Sequence, residues 1–178
     1  MLQEYTVLDF TDDRGEIGPM LFGDLGADVI RVELPVGSSS RECEPIFSGS
    51  AADLKSVQFM AFNRNKRSIA LDPGSEKDIE TLNELIRRAD FIFESSPSKT
   101  LSSYGVDFNT AKRLNERIIY VRISPFGDDG PYANFLGNDL VVAAMGGPVA
   151  LQGEPEREPI KLSVPQVWRH AGVEGASG

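Results

Sequence analysis

Short apolar runs alternate with amphipathic stretches along the chain, a pattern that predicts strands alternating with helices. Five runs rich in β-branched or aromatic residues have strand length, and they cover residues 5–10, 28–34, 68–72, 90–95 and 117–124. Helix signals lie between them, at residues 19–25, from about 58, at 75–89 and at 109–116. This order predicts an α/β domain with a mostly parallel sheet flanked by helices.

The clearest helix signal covers residues 75–89. Ser75 is a favoured N-cap residue, and Asp78 three positions later can complete a capping box. Apolar residues recur at helical spacing along one face, and these are Ile79, Leu82, Leu85, Ile86 and Ala89. Two further helices are expected, one capped by Asn109 and one in the stretch DLVVAAMGG, residues 139–147, which is apolar nearly all round and therefore predicted to be buried.

Three polar loops follow predicted strands, at residues 11–18, 95–104 and 124–138. Ligands of parallel α/β sheets bind at the carboxyl ends of the strands, so these loops are the expected site. The first loop lacks both G-x-G-x-x-G and a P-loop, which disfavours a nicotinamide dinucleotide. Arg14 is its one cation, surrounded by Asp12, Asp13 and Glu16.

Composition narrows the function classes. The chain has 178 residues, enough for one domain, and a formal net charge of −9, which argues against a nucleic-acid or membrane partner. No apolar run approaches the length of a membrane span. The single cysteine, Cys43, rules out an internal disulfide and favours a cytoplasmic protein, and with one histidine a zinc site is not expected.

Two clusters of chemically capable residues remain open to interpretation. Arg64, Lys66 and Arg67 lie together in an acidic chain and could bind phosphate or could form a solvated, charge-balancing loop. The only tryptophan, Trp168, and the only histidine, His170, lie two residues apart. They could be a reactive pair or a packing element.

Six stretches, in order along the chain, resemble the class III CoA-transferases, which include formyl-CoA transferase, carnitine CoA-transferases and alpha-methylacyl-CoA racemase. These are VLDFT (7–11), GDLGADVIRVE (23–33), FNRNKRSIALD (62–72), RRADFIFES (87–95), LNERIIYVRISPFGDDGPYA (114–133) and NDLVVAAMGG (138–147). The resemblance implies a Rossmann-like domain, a CoA thioester as substrate rather than a covalently bound cofactor, and interlocked dimers. In the family an aspartate attacks the thioester, whereas the racemase branch uses a His and an Asp.

Carried over residue by residue, the resemblance implies a chain without a catalytic residue. The family aspartate falls in the run VPQVWRHAG, residues 164–172, at Trp168, and the racemase histidine falls at Asn138. An indole cannot attack a thioester. The positions at which the resemblance implies contact with CoA are Arg14, Gly15, Leu71, Ser95, Ser96, Tyr104 and Asp139.

Taken together, these features predict the amino-terminal, CoA-binding fragment of a class III CoA-transferase-like protein. Residues 1–150 would form the Rossmann-like domain, and residues 151–178 would start the connection to a missing second half. The chain would pair with a second copy as a homodimer or associate with that half. The alternative is a catalytically inert CoA-binding, nucleotide-binding or dimerisation module of a tandem CoA-transferase.

Overall fold

A five-stranded, all-parallel sheet forms the centre of the computed structural model, which describes residues 1–46, 56–95 and 99–178. The strands are β1 (Thr6–Phe10), β2 (Asp28–Glu33), β3 (Lys66–Ala70), β4 (Phe91–Ser95) and β5 (Ile119–Ile123). Their order in the sheet is β3-β2-β1-β4-β5, and every pair is parallel. This is the order of the first five strands of doubly wound sheets, and it confirms the predicted α/β fold.

Helices follow the strands along the chain. They are α1 (Ile17–Asp24), α2 (Val57–Phe62), α3 (Glu76–Arg88), α4 (Lys99–Ser103), α5 (Phe108–Leu114), α6 (Asp139–Met145) and α7 (Val167–Ser177), with 3₁₀ turns at Ser39–Glu42 and Pro148–Leu151. Within the described ranges, none of them combines the length and apolarity that a membrane-crossing helix needs.

The central strands of the sheet are buried on both faces because helices cover both. Alternate residues of β1 point to opposite faces, so Leu8 joins a core cluster with Leu82 of α3 and Ala111 of α5. Val7 joins the opposite cluster, which contains Phe22 of α1 and packs against Ala176 of α7. The near-continuous apolar runs of the strands follow from this two-sided burial.

Helix α3 begins as the sequence predicts, with one difference in its cap. The Ser75 hydroxyl accepts a hydrogen bond from the Asp78 amide at 3.3 Å, as an N-cap should. The Asp78 carboxylate does not return to Ser75 but accepts from the Asp72 amide at 2.9 Å. Leu82 and Ile86 are fully buried, which confirms the apolar stripe.

Two glycines allow α7 to lie directly against α1. A Cβ on Gly172 would come within 2.3 Å of Ile17 Cγ2, and a Cβ on Gly18 would come within 2.9 Å of the Gly172 carbonyl oxygen. Real Cβ atoms do not approach so closely, so both positions require glycine. This contact holds the start of α7 beside the β1–α1 loop.

Three local predictions were wrong. The cap of α5 is Asp107, whose carboxylate accepts from the Thr110 amide at 2.7 Å, and not Asn109. Residues 99–103, expected within a polar loop, form α4. Helix α6 was expected to be buried, yet Ala143 is its one buried residue. The prediction from apolar composition was therefore wrong about the burial of α6, because no element among the described residues covers its outer side.

Candidate functional site

A cleft of about 310 Å³ opens at the carboxyl ends of β1, β2 and β4. Its lining comes from the ends of β1 and β4, from the loops after β1 and β2, and from α4. It comprises Phe10, Thr11, Asp12, Arg14, Leu34, Gly37, Ser38, Ser39, Ser95 and Thr100. The connection after β1 leads to β2 on one side, while β4 lies on the other. The cleft therefore lies at the topological switch point, where doubly wound sheets bind ligands.

Arg14 is the cationic side chain in the lining of this cleft. Its Nε atom donates to Asp12 Oδ1 at 2.8 Å, and its Nη2 atom lies 2.5 Å from Asp12 Oδ2. Burial opposes ionisation of Asp12, but the hydrogen bonds and charge of Arg14 outweigh it and hold the pKa of Asp12 below its usual value. The pair holds the guanidinium at the mouth of the cleft.

Ser95, at the end of β4, contacts the loop that carries Arg14 and Gly15. The buried Ser95 hydroxyl accepts a hydrogen bond from the Asp12 amide at 3.2 Å. A Cβ on Gly15 would lie 3.1 Å from Ser95 Oγ and 2.7 Å from Ile123 Cδ1, so glycine lets the loop pass close to β4. The structure thus brings three of the residues predicted to contact CoA to one place.

The other predicted contacts lie elsewhere. Leu71 and Tyr104 are buried in the core, and the Tyr104 hydroxyl donates to the Leu71 carbonyl oxygen at 2.7 Å. Burial, together with the Asp72 and Asp78 carboxylates, raises the pKa of Tyr104 to about 12. Neither residue belongs to the lining of the cleft. Ser96 lies outside the described residues.

A second, smaller cavity of about 110 Å³ lies on the other side of the β1–α1 loop. It is lined by Asp13, Gln58, Asp139, Pro165, Trp168 and Arg169. Asp12 lines the cleft and Asp13 lines this cavity, so adjacent residues of the β1–α1 loop contribute to the two spaces. The predicted Asp139 contact belongs to this cavity and not to the cleft.

Asp139 holds the start of α7. Its Oδ1 atom accepts hydrogen bonds from the Val167 amide at 2.9 Å and from the Trp168 amide at 3.2 Å. These amides belong to the first turn of α7 and have no carbonyl partner within the helix. Asp139 therefore acts here as a capping residue supplied by a distant segment.

Trp168 is a packing residue and forms no pair with His170. The indole is buried, with 7% of its surface exposed, whereas His170 is exposed. Two residues along a helix point to different faces, which separates the two rings. The structure therefore favours the packing interpretation of Trp168, at the wall of the smaller cavity.

The basic run does not form a phosphate site. Arg64 pairs with Asp24 at 2.6 Å, Arg67 pairs with Asp28, and Lys66 Nζ lies 2.8 Å from Asp9 Oδ2. Each cation is thus held by a carboxylate of the same chain and points to a different place. The cations therefore balance charges, but not in a solvated loop, because Lys66 and Arg67 belong to β3 and Lys66 is buried.

Sequence analysis missed a buried ion cluster beneath the cleft. Arg31, with 2% of its surface exposed, lies 3.1 Å from Asp9 and 2.9 Å from Glu16, and it donates to the Thr11 carbonyl oxygen at 3.1 Å. Burial opposes ionisation of Asp9, but Lys66 and Arg31 outweigh it and lower the pKa of Asp9. The available signal was a charged residue inside each apolar strand run. The cluster fixes the base of the β1–α1 loop.

The described part of the chain contains neither a cluster of side chains that could bind a metal nor a reactive thiol. No group of three potential ligand side chains occurs there. Burial, with the nearby carboxylates of Asp13, Glu16 and Asp12, raises the pKa of the Cys43 thiol to about 11. A thiol with so high a pKa is a poor nucleophile at neutral pH.

Comparisons with known proteins agree with this architecture. A sequence profile of CoA-transferase family III matches residues 2–178. The succinate–glutarate CoA-transferase of Agrobacterium fabrum is 39% identical over 150 residues, which make up 83% of this chain and 37% of that protein. Subunit BbsE of the succinyl-CoA:(R)-benzylsuccinate CoA-transferase of Thauera aromatica is 32% identical over 181 residues, or 100% of this chain and 44% of that protein.

Solved structures match over nearly the whole chain. A CAIB/BAIF family protein from Brucella suis superposes with a TM-score of 0.85 at 34% identity and covers 97% of this chain. The match accounts for 47% of the Brucella chain. This chain therefore spans less than half the length of these relatives.

Proposed function

The chain belongs to CoA-transferase family III, and on that premise we propose that it binds a CoA thioester as the amino-terminal part of a CoA-transferase-like protein. In this proposal residues 1–150 form a Rossmann-like CoA-binding domain. Residues 151–178 start the connection to a second half, which would account for the greater length of the relatives.

One observation carries this proposal, namely the cleft at the carboxyl ends of β1, β2 and β4. It offers the guanidinium of Arg14 and a set of hydroxyl groups, which are suitable donors for the phosphates and amides of CoA. The expected contacts are Arg14, Gly15 and Ser95. Leu71 and Tyr104 would act only indirectly, by supporting the loops around the cleft.

The chain offers no carboxylate at position 168, so we propose that it does not form a covalent intermediate there. The buried indole of Trp168 occupies the position, and the adjacent Asp139 is engaged by two backbone amides. A carboxylate held in this way is fixed in orientation and weakened as a nucleophile. The acyl-transfer chemistry would then need a second CoA-transferase half or chain.

The absence of a carboxylate at position 168 supports a second candidate function. In it, the chain is a catalytically inert CoA-binding or dimerisation module of a larger transferase. Leu136, Met145 and Leu151 on and around α6 are exposed, and apolar residues at the surface favour a protein partner. The partner would be a second copy or the second half of the protein. Light scattering coupled to size exclusion should give a mass above that of one chain if a second copy binds.

The proposed substrates and location follow from the family and the composition. The names of the relatives include the acids succinate, glutarate and benzylsuccinate, and we expect this chain to handle the CoA thioester of a carboxylic acid. A cytoplasmic location agrees with the single cysteine, which can form no internal disulfide.

The test uses the unique tryptophan as the reporter. CoA and acetyl-CoA are titrated into the chain while Trp168 fluorescence is recorded, and calorimetry gives the affinity. Saturable binding in the micromolar range is expected, because the indole lies across the loop from the cleft.

Two serine variants locate the binding site. Ser39→Phe places a ring in the lining of the cleft and should abolish binding. Ser103→Phe, at an exposed position of α4 outside the lining, should bind like the wild type. Absence of heat and of fluorescence change in the folded wild-type chain would contradict the proposed function. So would equal binding by Ser39→Phe.

A further inference from the structure

Arg31 of β2 lies beneath the cleft and contacts two of the loops that line it. Its Nη2 atom donates a hydrogen bond to the Thr11 carbonyl oxygen, in the loop after β1, at 3.1 Å. The same atom donates to Ser38 Oγ at 2.8 Å and to Ser40 Oγ at 3.1 Å, in the loop after β2. Thr11 and Ser38 line the cleft, whereas Arg31 does not. One buried guanidinium therefore joins two segments of the lining from behind.

The guanidinium of Arg31 is also fixed on its other side. Its Nη1 atom donates to Asp9 Oδ2 at 3.1 Å and to Asn63 Oδ1 at 2.9 Å. Its Nη2 atom lies 2.9 Å from the Glu16 carboxylate. These partners belong to β1, to the residue after α2 and to the residue before α1. The two loops are therefore bound to a group that is itself held by three elements of the fold.

This set of contacts depends on the shape of a guanidinium. One terminal nitrogen of Arg31 binds Asp9 and Asn63, while the other binds the two loops. A lysine ammonium has a single nitrogen atom and cannot bind both groups at once. Lys66 lies in the same cluster, but its three acceptors do not line the cleft. The connection between the loops is thus specific to Arg31.

We propose that Arg31 is a positioning residue that sets the affinity of the cleft for CoA. This inference rests on the proposed CoA-binding function. Arg31 acts through the Thr11 backbone and the Ser38 hydroxyl, since it does not belong to the lining itself. Ordering a loop during binding reduces affinity, so a cleft whose loops are already held in place binds its ligand more tightly. Arg31 supplies this order before the ligand arrives.

The first test is Arg31→Lys, which keeps a positive charge beside Asp9 and Glu16 but cannot reach both loops. Calorimetric titration of CoA into the folded variant should give an affinity about tenfold weaker than that of the wild type, because charge-assisted hydrogen bonds no longer order the lining. The control is Ile86→Val, a core position of α3 outside the lining. It should lower the free energy of unfolding and leave the CoA affinity unchanged.

Ser40→Ala tests the route through the loop after β2. Ser40 is fully buried and lies outside the lining, but its hydroxyl accepts from Arg31 and lies 2.9 Å from Ser38 Oγ. This variant should weaken CoA binding about threefold. The double variant of Arg31→Lys and Ser40→Ala should bind CoA as weakly as Arg31→Lys alone, because both substitutions remove the same connection.

The outcomes separate this inference from the proposed function. Wild-type affinity in folded Arg31→Lys, or additive losses in the double variant, would refute the role of Arg31 and leave the CoA-binding function intact. An equal loss of affinity in Ile86→Val would show that affinity only follows stability, which also refutes that role. If Arg31→Lys does not fold, Ser40→Ala decides, because weaker binding supports the role and wild-type affinity refutes it. If CoA does not bind the folded wild type, both proposals fail.

Discussion

At the scale of single residues, buried charges carry much of the architecture around the cleft. Glu33, with 4% of its surface exposed, accepts hydrogen bonds from Arg41 at 2.7 Å, from Ser68 at 2.7 Å and from the Ser38 amide at 3.0 Å. Burial opposes its ionisation, but Arg41, Ser68 and Arg31 outweigh this and lower the pKa of Glu33 to about 2. The carboxylate thereby ties the loop after β2 to the sheet.

This depressed pKa predicts a specific acid sensitivity. The folded state holds Glu33 ionised below the usual pKa of 4.5, so its stabilisation is complete above about pH 5 and is lost as pH falls toward 2. The contribution at pH 7 is about 3 kcal/mol. Urea unfolding at pH 7 and pH 3 should show Glu33→Gln to be less stable than the wild type at pH 7 and less sensitive to acid.

The control for this prediction is Glu80→Gln, which removes a surface ion pair with Arg87. Exposed pairs contribute about 0–1 kcal/mol, so this variant should follow the wild type at both pH values. An unchanged acid sensitivity in Glu33→Gln would mean that other carboxylates dominate the titration.

Trp168 leads to a chemical prediction. In the mechanism that the family resemblance implies, an aspartate attacks the thioester, so the carboxylate of Trp168→Asp should displace CoA as its thiolate and form a mixed anhydride with the acyl group. Hydroxylamine should convert this anhydride to a hydroxamate at position 168. Mass spectrometry of peptides after incubation with acetyl-CoA locates the adduct. The wild type and Trp168→Asn should give none, and an unmodified peptide in folded Trp168→Asp would mean that the cleft does not present the thioester to this position.

At the scale of elements, the contact between α1 and α7 depends on glycine at positions 18 and 172. Gly18→Ala should destabilise the fold by about 1–3 kcal/mol, because its Cβ would come within 2.9 Å of the Gly172 carbonyl oxygen and 3.0 Å of Phe93. Gly23→Ala in the same helix meets nothing closer than 3.4 Å. It should be neutral, or up to about 1 kcal/mol more stable through helix propensity.

Urea denaturation of the two glycine variants distinguishes packing from propensity. A fall in the free energy of unfolding for Gly18→Ala alone supports the close contact. Equal effects of both substitutions would argue that α7 does not lie against α1 in solution.

The cap of α7 gives a second prediction at this scale. Asp139→Ala removes the acceptor of two amides and should reduce stability by about 1 kcal/mol, whereas Asp139→Asn keeps an oxygen acceptor and should lose less. Thermal unfolding followed by circular dichroism measures both. Equal losses in the two variants would show that the charge of Asp139, and not its acceptor oxygen, stabilises α7.

Local signals predicted elements well where local interactions decide the structure. The N-cap of α3 at Ser75 and its apolar stripe were correct because both depend on residues within one helix. The burial of α6 was wrong because it depends on what lies across from the helix, and apolar composition carries no such information. Asp107 was missed as the cap of α5 because a cap is decided within one or two residues, where Asn109 is an equally favourable type.

At the scale of the whole molecule, the parallel sheet could be predicted but the way its loops meet could not. Alternating strands and helices imply parallel pairing, and the carboxyl ends of strands imply a site. The approach of Arg14, Gly15 and Ser95 follows from the pairing of β1 with β4. The return of α7 to the same edge depends on the Gly18–Gly172 contact, which joins segments too distant in sequence for any local pattern to indicate.

The most direct test of the central claim is a crystal structure of this chain with CoA at a concentration that saturates binding. We predict CoA in the cleft at the carboxyl ends of β1, β2 and β4, with Arg14 at its phosphates or pantetheine arm and its thiol directed toward the cavity at Trp168. CoA bound on another surface, or an empty cleft in crystals grown with saturating CoA, would contradict the account.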